Sequence, residues 1–150
     1  MITIQAANKD DINTIVEFQL NMALETEELS LDPNIVKRGV EALFHDPNKG
    51  SYYVAKDQGL TIACLMTTPE WSEWRNGNVL WIQSVYVRPS HRGKGVFRQL
   101  YSHIQELVEK QADLRGIRLY VDKSNSDAQK VYDAIGMDNE HYQLYEWMKS

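Results

Sequence analysis

Hydrophobic positions recur along this chain with two periods, and each change of period marks the edge of an element. Residues 2–6 alternate apolar and polar and predict a strand. From residue 11 to about residue 29 the spacing becomes three and four. Ile12, Ile15, Val16, Leu20 and Ala23 then form one helical stripe behind the capping candidates Asn8 and Asp10. Asp32 followed by Pro33 supplies a cap and a first-turn proline, which opens a second helix to about residue 45 with Val36, Val40, Leu43 and Phe44 inward. After a turn at residues 46–50, residues 52–56 and 60–67 predict an antiparallel hairpin closed by Asp57, Gln58 and Gly59. The longest stretch without a pattern runs from residue 68 to residue 78. Residues 79–87 are a long apolar run and predict a central strand, with Trp81, Gln83, Val85 and Val87 on one face and Ile82, Ser84 and Tyr86 on the other. Helical spacing returns from Phe97 to about residue 113, where Leu100, Ile104, Leu107 and Val108 share a face. Arg115 and Gly116 read as its stop, residues 117–121 as the next strand, and Ala128, Val131, Tyr132 and Ile135 as a last helical face. Residues 140–147 alternate again and predict a closing strand.

The length suits one compact domain over residues 1–150, with no repeat or long linker to divide it. No apolar run is long enough to cross a bilayer, and the first residues lack the basic-then-apolar layout of a signal peptide, so the expected location is the cytoplasm. Cys64 is the single cysteine, which excludes intrachain disulfides and multi-cysteine zinc sites. No metal is expected. Apolar flanks and the lack of a histidine nearby in sequence make Cys64 a packing residue rather than a nucleophile. The formal net charge of −5 argues against a general nucleic-acid binder, which needs a basic face.

Chemistry concentrates where the central strand enters a basic, glycine-punctuated turn: Arg88-Pro89-Ser90-His91-Arg92-Gly93-Lys94-Gly95-Val96-Phe97. A helix N-terminus leaves its first N–H groups without acceptors and carries about half a positive charge from the macrodipole. Gly93 and Gly95 let a bulky anion reach those N–H groups, and Arg92 and Lys94 add charge, so the turn asks for a phosphate-bearing ligand. Neither Gly-x-x-x-x-Gly-Lys-Ser/Thr nor Gly-x-Gly-x-x-Gly is present, since Arg98 stands where the last glycine would fall. The stretch instead resembles the pyrophosphate loop of the GNAT superfamily of acyl-CoA-dependent N-acetyltransferases, Arg/Gln-x-x-Gly-x-Gly/Ala. Arg92 to Val96 fit this pattern, and Phe97 departs from it where the family prefers Gly or Ala.

A second stretch follows in the same order as in that family. Asn125, Ala128, Tyr132 and Gly136, with Met137 in place of Phe, resemble its Asn-x-x-Ala-x-x-x-Tyr-x-x-x-Gly-Phe. The resemblance implies a mixed, mostly antiparallel sheet with a central V-shaped splay, flanked by helices. It implies acetyl-CoA as co-substrate, with Val85 and Val87 offering backbone groups to the pantetheine arm, residues 92–97 the diphosphate site, and Asn125 support from the other side. Tyr132 would protonate the departing sulfur in a direct transfer to a primary amine, without an acyl-enzyme. Many members carry a glutamate base near the start of the central strand; here that place is taken by Trp81, so a base would have to come from a water on Gln83, from the acids Glu25 to Glu28, or from Glu70 or Glu73.

The acceptor is expected to be a small cationic amine or a peptide amine, with Glu25, Glu28, Trp71, Trp74, Trp81 and Gln83 as candidates for holding it. Two of these groups carry a second reading. The acids from Glu25 to Asp32 also suit a solvated helix end. Trp71 and Trp74, interleaved with Glu70 and Glu73, either form an exposed rim for a cation or partner, or fold back to plug the core. Exposed aromatics and the edge of residues 140–147 would suit a homodimer. The alternative function is a non-catalytic acyl-CoA-binding domain of the same fold.

Overall fold

The computed structural model describes all residues from Met1 to Ser150, which divide into two compact units, Met1–Arg118 and Leu119–Ser150. The first unit contains β1 (Ile2–Ala6), α1 (Ile12–Glu27), α2 (Pro33–His45), β2 (Ser51–Asp57), β3 (Leu60–Ser72), β4 (Gly77–Val87), α3 (Val96–Lys110) and β5 (Leu114–Arg118). The strands form one sheet in sequence order, antiparallel from β1 to β4, with β5 parallel to β4.

Local chemistry sets the helix starts as the spacing predicts. Asn8 accepts from the Asp10 N–H at 2.8 Å while its own N–H donates to Asp11 at 2.9 Å, ahead of α1. Asp32 accepts from the Asn34 N–H at 2.8 Å with Pro33 in the first turn of α2. Helices α1 and α2 bury Ile15, Val16, Phe18, Val40 and Leu43 against Tyr52, Val54, Cys64 and Tyr86 of the sheet. Helix α3 brings Leu100 and Ile104, both fully buried, against the strands on its own side. Each such side chain contributes about 1.5–3 kcal/mol through removal of apolar surface from water.

Three expectations for the first unit are corrected. Residues 68–78 are not an irregular loop: β3 runs on to Ser72 and β4 starts at Gly77, so the hairpin turn is only residues 73–76. Cross-strand pairing from Thr67 with Ile82 to Ser72 with Gly77 supplies the order that the weak apolar pattern conceals. The last strand of the unit begins at Leu114 rather than at residue 117, because α3 ends at Lys110 and the Asp113 carbonyl already accepts from the Asn78 N–H at 2.8 Å.

The third correction is the face of β4. Cys64 pairs with Tyr86 but Met66 pairs with Gln83, so Ser84 and Val85 together oppose Leu65 in a β-bulge, with Ser84 left-handed at φ 54°. Directly paired residues share a face. Trp81 and Gln83, opposite Thr68 and Met66, therefore lie on the Cys64–Tyr86 side, while Val87, opposite Ala63, lies on the other. A simple alternation cannot carry through an inserted residue.

The second unit holds α4 (Ser126–Ala134), followed by chain without regular structure. The strand expected at residues 140–147 does not form. Alternation earns a strand only where a neighbouring strand takes up its N–H and C=O groups, and this unit contains no other strand.

Gly50, at the entry to β2, has φ 150°, and an added Cβ would clash with the Thr67 carbonyl oxygen. Gly50→Ala is expected to destabilise the protein by about 2–4 kcal/mol and to lower Tm by roughly 5–15 °C, measured by calorimetry. A Tm within one or two degrees of the wild type would show that the turn relaxes freely.

Candidate functional site

The site is built where β4 ends. Pro89 stops the strand and starts a short 3-10 turn, Pro89–His91, after which Arg92 is extended. Gly93 and Gly95 follow at φ 76° and 77°, a conformation that favours glycine, and Gly95 is the cap of α3. No side chain caps this helix, and its first intrahelical bond is the Gln99 N–H to the Gly95 carbonyl at 3.2 Å. The preceding N–H groups lack intrahelical acceptors. A Cβ built at Gly93 or Gly95 meets nothing within 4 Å, so the turn borders open space. Val96 is buried and fixes the helix start, whereas Lys94 is exposed. Phe97, the departure from the family pattern, is half-buried with its ring 6.2 Å from that of Tyr101.

The segment leading to the turn is fastened by three side chains. Arg88 donates from Nε to the Thr61 carbonyl at 2.9 Å and stacks over Phe18 of α1 at 4.9 Å. His91 lies 3.0 Å from Asp57, which this partner and the N-terminal amine hold below the ordinary aspartate range. Arg92 donates from Nε to the Val87 carbonyl at 2.8 Å and from Nη2 to Glu25 at 2.8 Å, and its guanidinium sits 5.3 Å from the Tyr86 ring centre. The Tyr86 hydroxyl donates to the other Glu25 oxygen at 3.1 Å. The Arg92 hydrogen bond, helped by Tyr86 and opposed by partial desolvation, holds Glu25 below the usual carboxylate range. Burial first, and Glu25 second, raise Tyr86 above the ordinary phenol value.

β5 pairs with β4 only at residues 78–81, and residues 82–87 continue beyond it. The bulge lies in this continuation, so Val85 and Val87 belong to the part of β4 that β5 does not cover. On the α1 side of the sheet, Trp81 donates from Nε1 to Glu70 at 2.6 Å, Arg118 donates to the other Glu70 oxygen at 2.8 Å, and Gln83 donates to Thr68 at 2.6 Å. Glu70 of β3 thus brings a carboxylate beside Trp81, where the strand's own sequence offers none. Trp71 and Trp74 are 59% and 87% exposed, so neither plugs the core. Glu28 ends α1 in a left-handed conformation and is exposed.

In the second unit, Asn125 is the cap of α4 and accepts from the Ala128 N–H at 3.1 Å. Tyr132 lies on that helix, half-buried, and burial raises its hydroxyl above the ordinary phenol value.

The structure therefore brings Glu25, Arg92 and Val87 into one network, and sets Trp81 and Gln83 on one face of the sheet. Sequence reasoning missed two participants, Tyr86 and Arg88; Glu70 was among the carboxylates considered as a base, and the structure adds its hydrogen bond to Trp81. A tyrosine in an otherwise aliphatic strand was the available hint for Tyr86, since its hydroxyl needs a partner when the ring is buried.

Comparison with known proteins agrees with this architecture. The family model described as the acetyltransferase (GNAT) family matches residues 16–137. A possible acetyltransferase from Clostridium difficile 630 is 42% identical, superposes with a TM-score of 0.92, and the match covers 100% of this chain and 99% of that one. Two more distant structures show the fold alone. A predicted acetyltransferase with acetyl-CoA from Clostridium acetobutylicum has 18% identity, a TM-score of 0.75 and coverage of 97% and 96%. AAC(6')-Iy in complex with the bisubstrate analogue CoA-S-monomethyl-acetylneamine has 17% identity, a TM-score of 0.76 and coverage of 100% and 99%. No curated protein matches the chain.

Cys64 is fully buried, within 3.6 Å of Gln19 Nε2 and 3.5 Å of the Ser84 carbonyl, and burial pushes its thiol up to about 12. At pH 8 the thiolate fraction is then about one in ten thousand. Ellman's reagent is expected to leave the native protein unlabelled over minutes and to label one thiol after unfolding in guanidinium. Rapid native labelling would contradict the burial.

Proposed function

Since the chain belongs to the GNAT family of acetyltransferases, we propose that it moves an acetyl group from acetyl-CoA to a primary amine by direct attack in a ternary complex. The observation that carries this reading is the uncapped α3 N-terminus behind the open Gly93–Lys94–Gly95 turn, at the end of a strand whose last residues β5 leaves uncovered. Residues 92–97 would take the diphosphate, and the backbone of Val85 and Val87 the pantetheine arm. Such an arm bonds like an added strand. Asn125 is proposed as a further cofactor-supporting residue. The complexes of related folds with acetyl-CoA and with a CoA–aminoglycoside analogue support acetyl-CoA and a cationic amine as the substrate classes.

Transfer forms the N–C bond, breaks the C–S bond, and leaves a thiolate that needs a proton. Tyr132 is proposed as that acid, because it stands at the tyrosine of the family's second motif and a phenol hydroxyl carries its proton at neutral pH. A strand N–H near Val85 would meet the developing oxyanion. The attacking amine must be neutral, although alkylammonium pKa values lie near 10.4, so a base or a dry pocket is required. Glu28, Trp71, Trp74, Trp81 and Gln83 are proposed for the acceptor.

A non-catalytic acyl-CoA-binding domain is the second reading, favoured by Trp81 at the usual base position and by a Glu70 already engaged by Trp81 and Arg118. We also place the protein in the cytoplasm, consistent with the absence of any helix long and apolar enough to cross a membrane, and consider a homodimer compatible with its exposed aromatic side chains.

Release of free CoA thiol across an amine panel separates the two readings: turnover supports the enzyme, and binding without turnover supports the second. Tyr132→Phe is expected to lower kcat by about 10²-fold or more with little change in acetyl-CoA KM. Full turnover in that variant would remove the acid assignment. Glu28→Gln or Trp74→Ala is expected to raise the acceptor KM more than that of acetyl-CoA; equal effects would return these residues to the solvated surface.

A further inference from the structure

We propose that Glu25 is a positioning residue for the cofactor turn rather than a binding group for the acceptor amine. This rests on the acetyl-CoA reading above. Both carboxylate oxygens of Glu25 are committed, one to the Tyr86 hydroxyl at 3.1 Å and the other to Arg92 Nη2 at 2.8 Å. Its charge is matched by the guanidinium, so it offers little to a second cation.

What the pair does follows from where Arg92 stands. It is the last residue before Gly93, and it is tied at three places: the Val87 carbonyl on β4, the Tyr86 ring, and Glu25 on the last turns of α1. Arg88 and His91 fasten the preceding residues to β3 and to Asp57 at the end of β2. On the far side of the turn, the buried Val96 holds the start of α3. The two glycines between Arg92 and Val96 are the freest backbone in the stretch, and fixing both of its ends lowers the ordering cost of wrapping an anion. An exposed ion pair alone contributes little. Here the guanidinium is also anchored to a main-chain carbonyl and an aromatic face, so the pair sets a geometry rather than adding a free-standing attraction.

The geometry also connects two elements. α1 ends among acids that are candidates for holding the acceptor, and the clamp joins that end to the strand and turn proposed for acetyl-CoA. A change at Glu25 should therefore appear in the binding of the diphosphate-bearing substrate.

The test compares Glu25→Ala, Glu25→Gln and Arg92→Ala by calorimetric titration with acetyl-CoA and with adenosine as a diphosphate-free probe, alongside steady-state kinetics. Expected is a five- to tenfold rise in Kd and KM for acetyl-CoA in Glu25→Ala, with acceptor KM and adenosine binding within about twofold of wild type. Glu25→Gln, which keeps an acceptor oxygen, should recover most of the loss. Glu25→Ala should add almost nothing in an Arg92→Ala background, because the two residues act as one unit. An unchanged acetyl-CoA Kd, or a rise confined to the acceptor KM, overturns the proposal. A ligand-free readout keeps it distinct from the functional reading: the Arg92 Nε–H resonance should be protected from exchange in the wild type and lose protection in Glu25→Ala. If the wild type binds no acetyl-CoA, the functional reading falls. The clamp still stands or falls on that resonance, and an unaltered exchange rate overturns it.

Discussion

The two edges of β4 are unequally used, and the rest of the first unit depends on that inequality. One edge pairs with β3 from Gly77 to Val87, interrupted only by the bulge at Ser84, while the other pairs with β5 for residues 78–81 alone. A strand held along one edge is rigid. The same strand released along part of the other edge retains N–H and C=O groups that are not spent on the sheet. Rigidity comes from the neighbour and availability from its absence, so both properties coexist in the last residues before the glycine turn.

The bulge refines this arrangement. By inserting one residue opposite Leu65, it sets Trp81 and Gln83 on the same side as Tyr86 and separates them from Val87. Beneath it, the Cys64 thiol lies 3.5 Å from the Ser84 carbonyl and 3.6 Å from the Gln19 amide, which supplies a partner for a partly buried, irregular piece of backbone. The cysteine's chemistry is thus structural. Its burial removes the reactivity that a nucleophile needs, which agrees with the direct transfer proposed above.

Much of this was legible in the sequence, and the failures share a cause. Helix stripes, caps and the glycine turn are local features, so Asn8, Asp32, Gly93 and Gly95 could be recognised without tertiary information. The extension of β3 to Ser72 and the flip of Trp81 relative to Val87 depend on pairing between strands, which one strand's alternation does not record. Residues 140–147 show the converse: alternation was present, but no partner strand belongs to the same unit. The Glu25–Arg92 pair spans 67 positions, and nothing in either residue's neighbourhood announces the other. Phe97 was the clearest departure from the family's loop, and its ring is accommodated beside Tyr101 while its backbone N–H stays at the helix start.

The proposed diphosphate site at the start of α3 is tested most directly by the change in backbone amide resonances on titration with acetyl-CoA. The largest changes are expected at residues 93–97, with saturation and with partial reversal by free CoA lacking the acetyl group only at residues near Val85. Saturable binding that leaves residues 93–97 unmoved, or no binding up to millimolar acetyl-CoA, would contradict it.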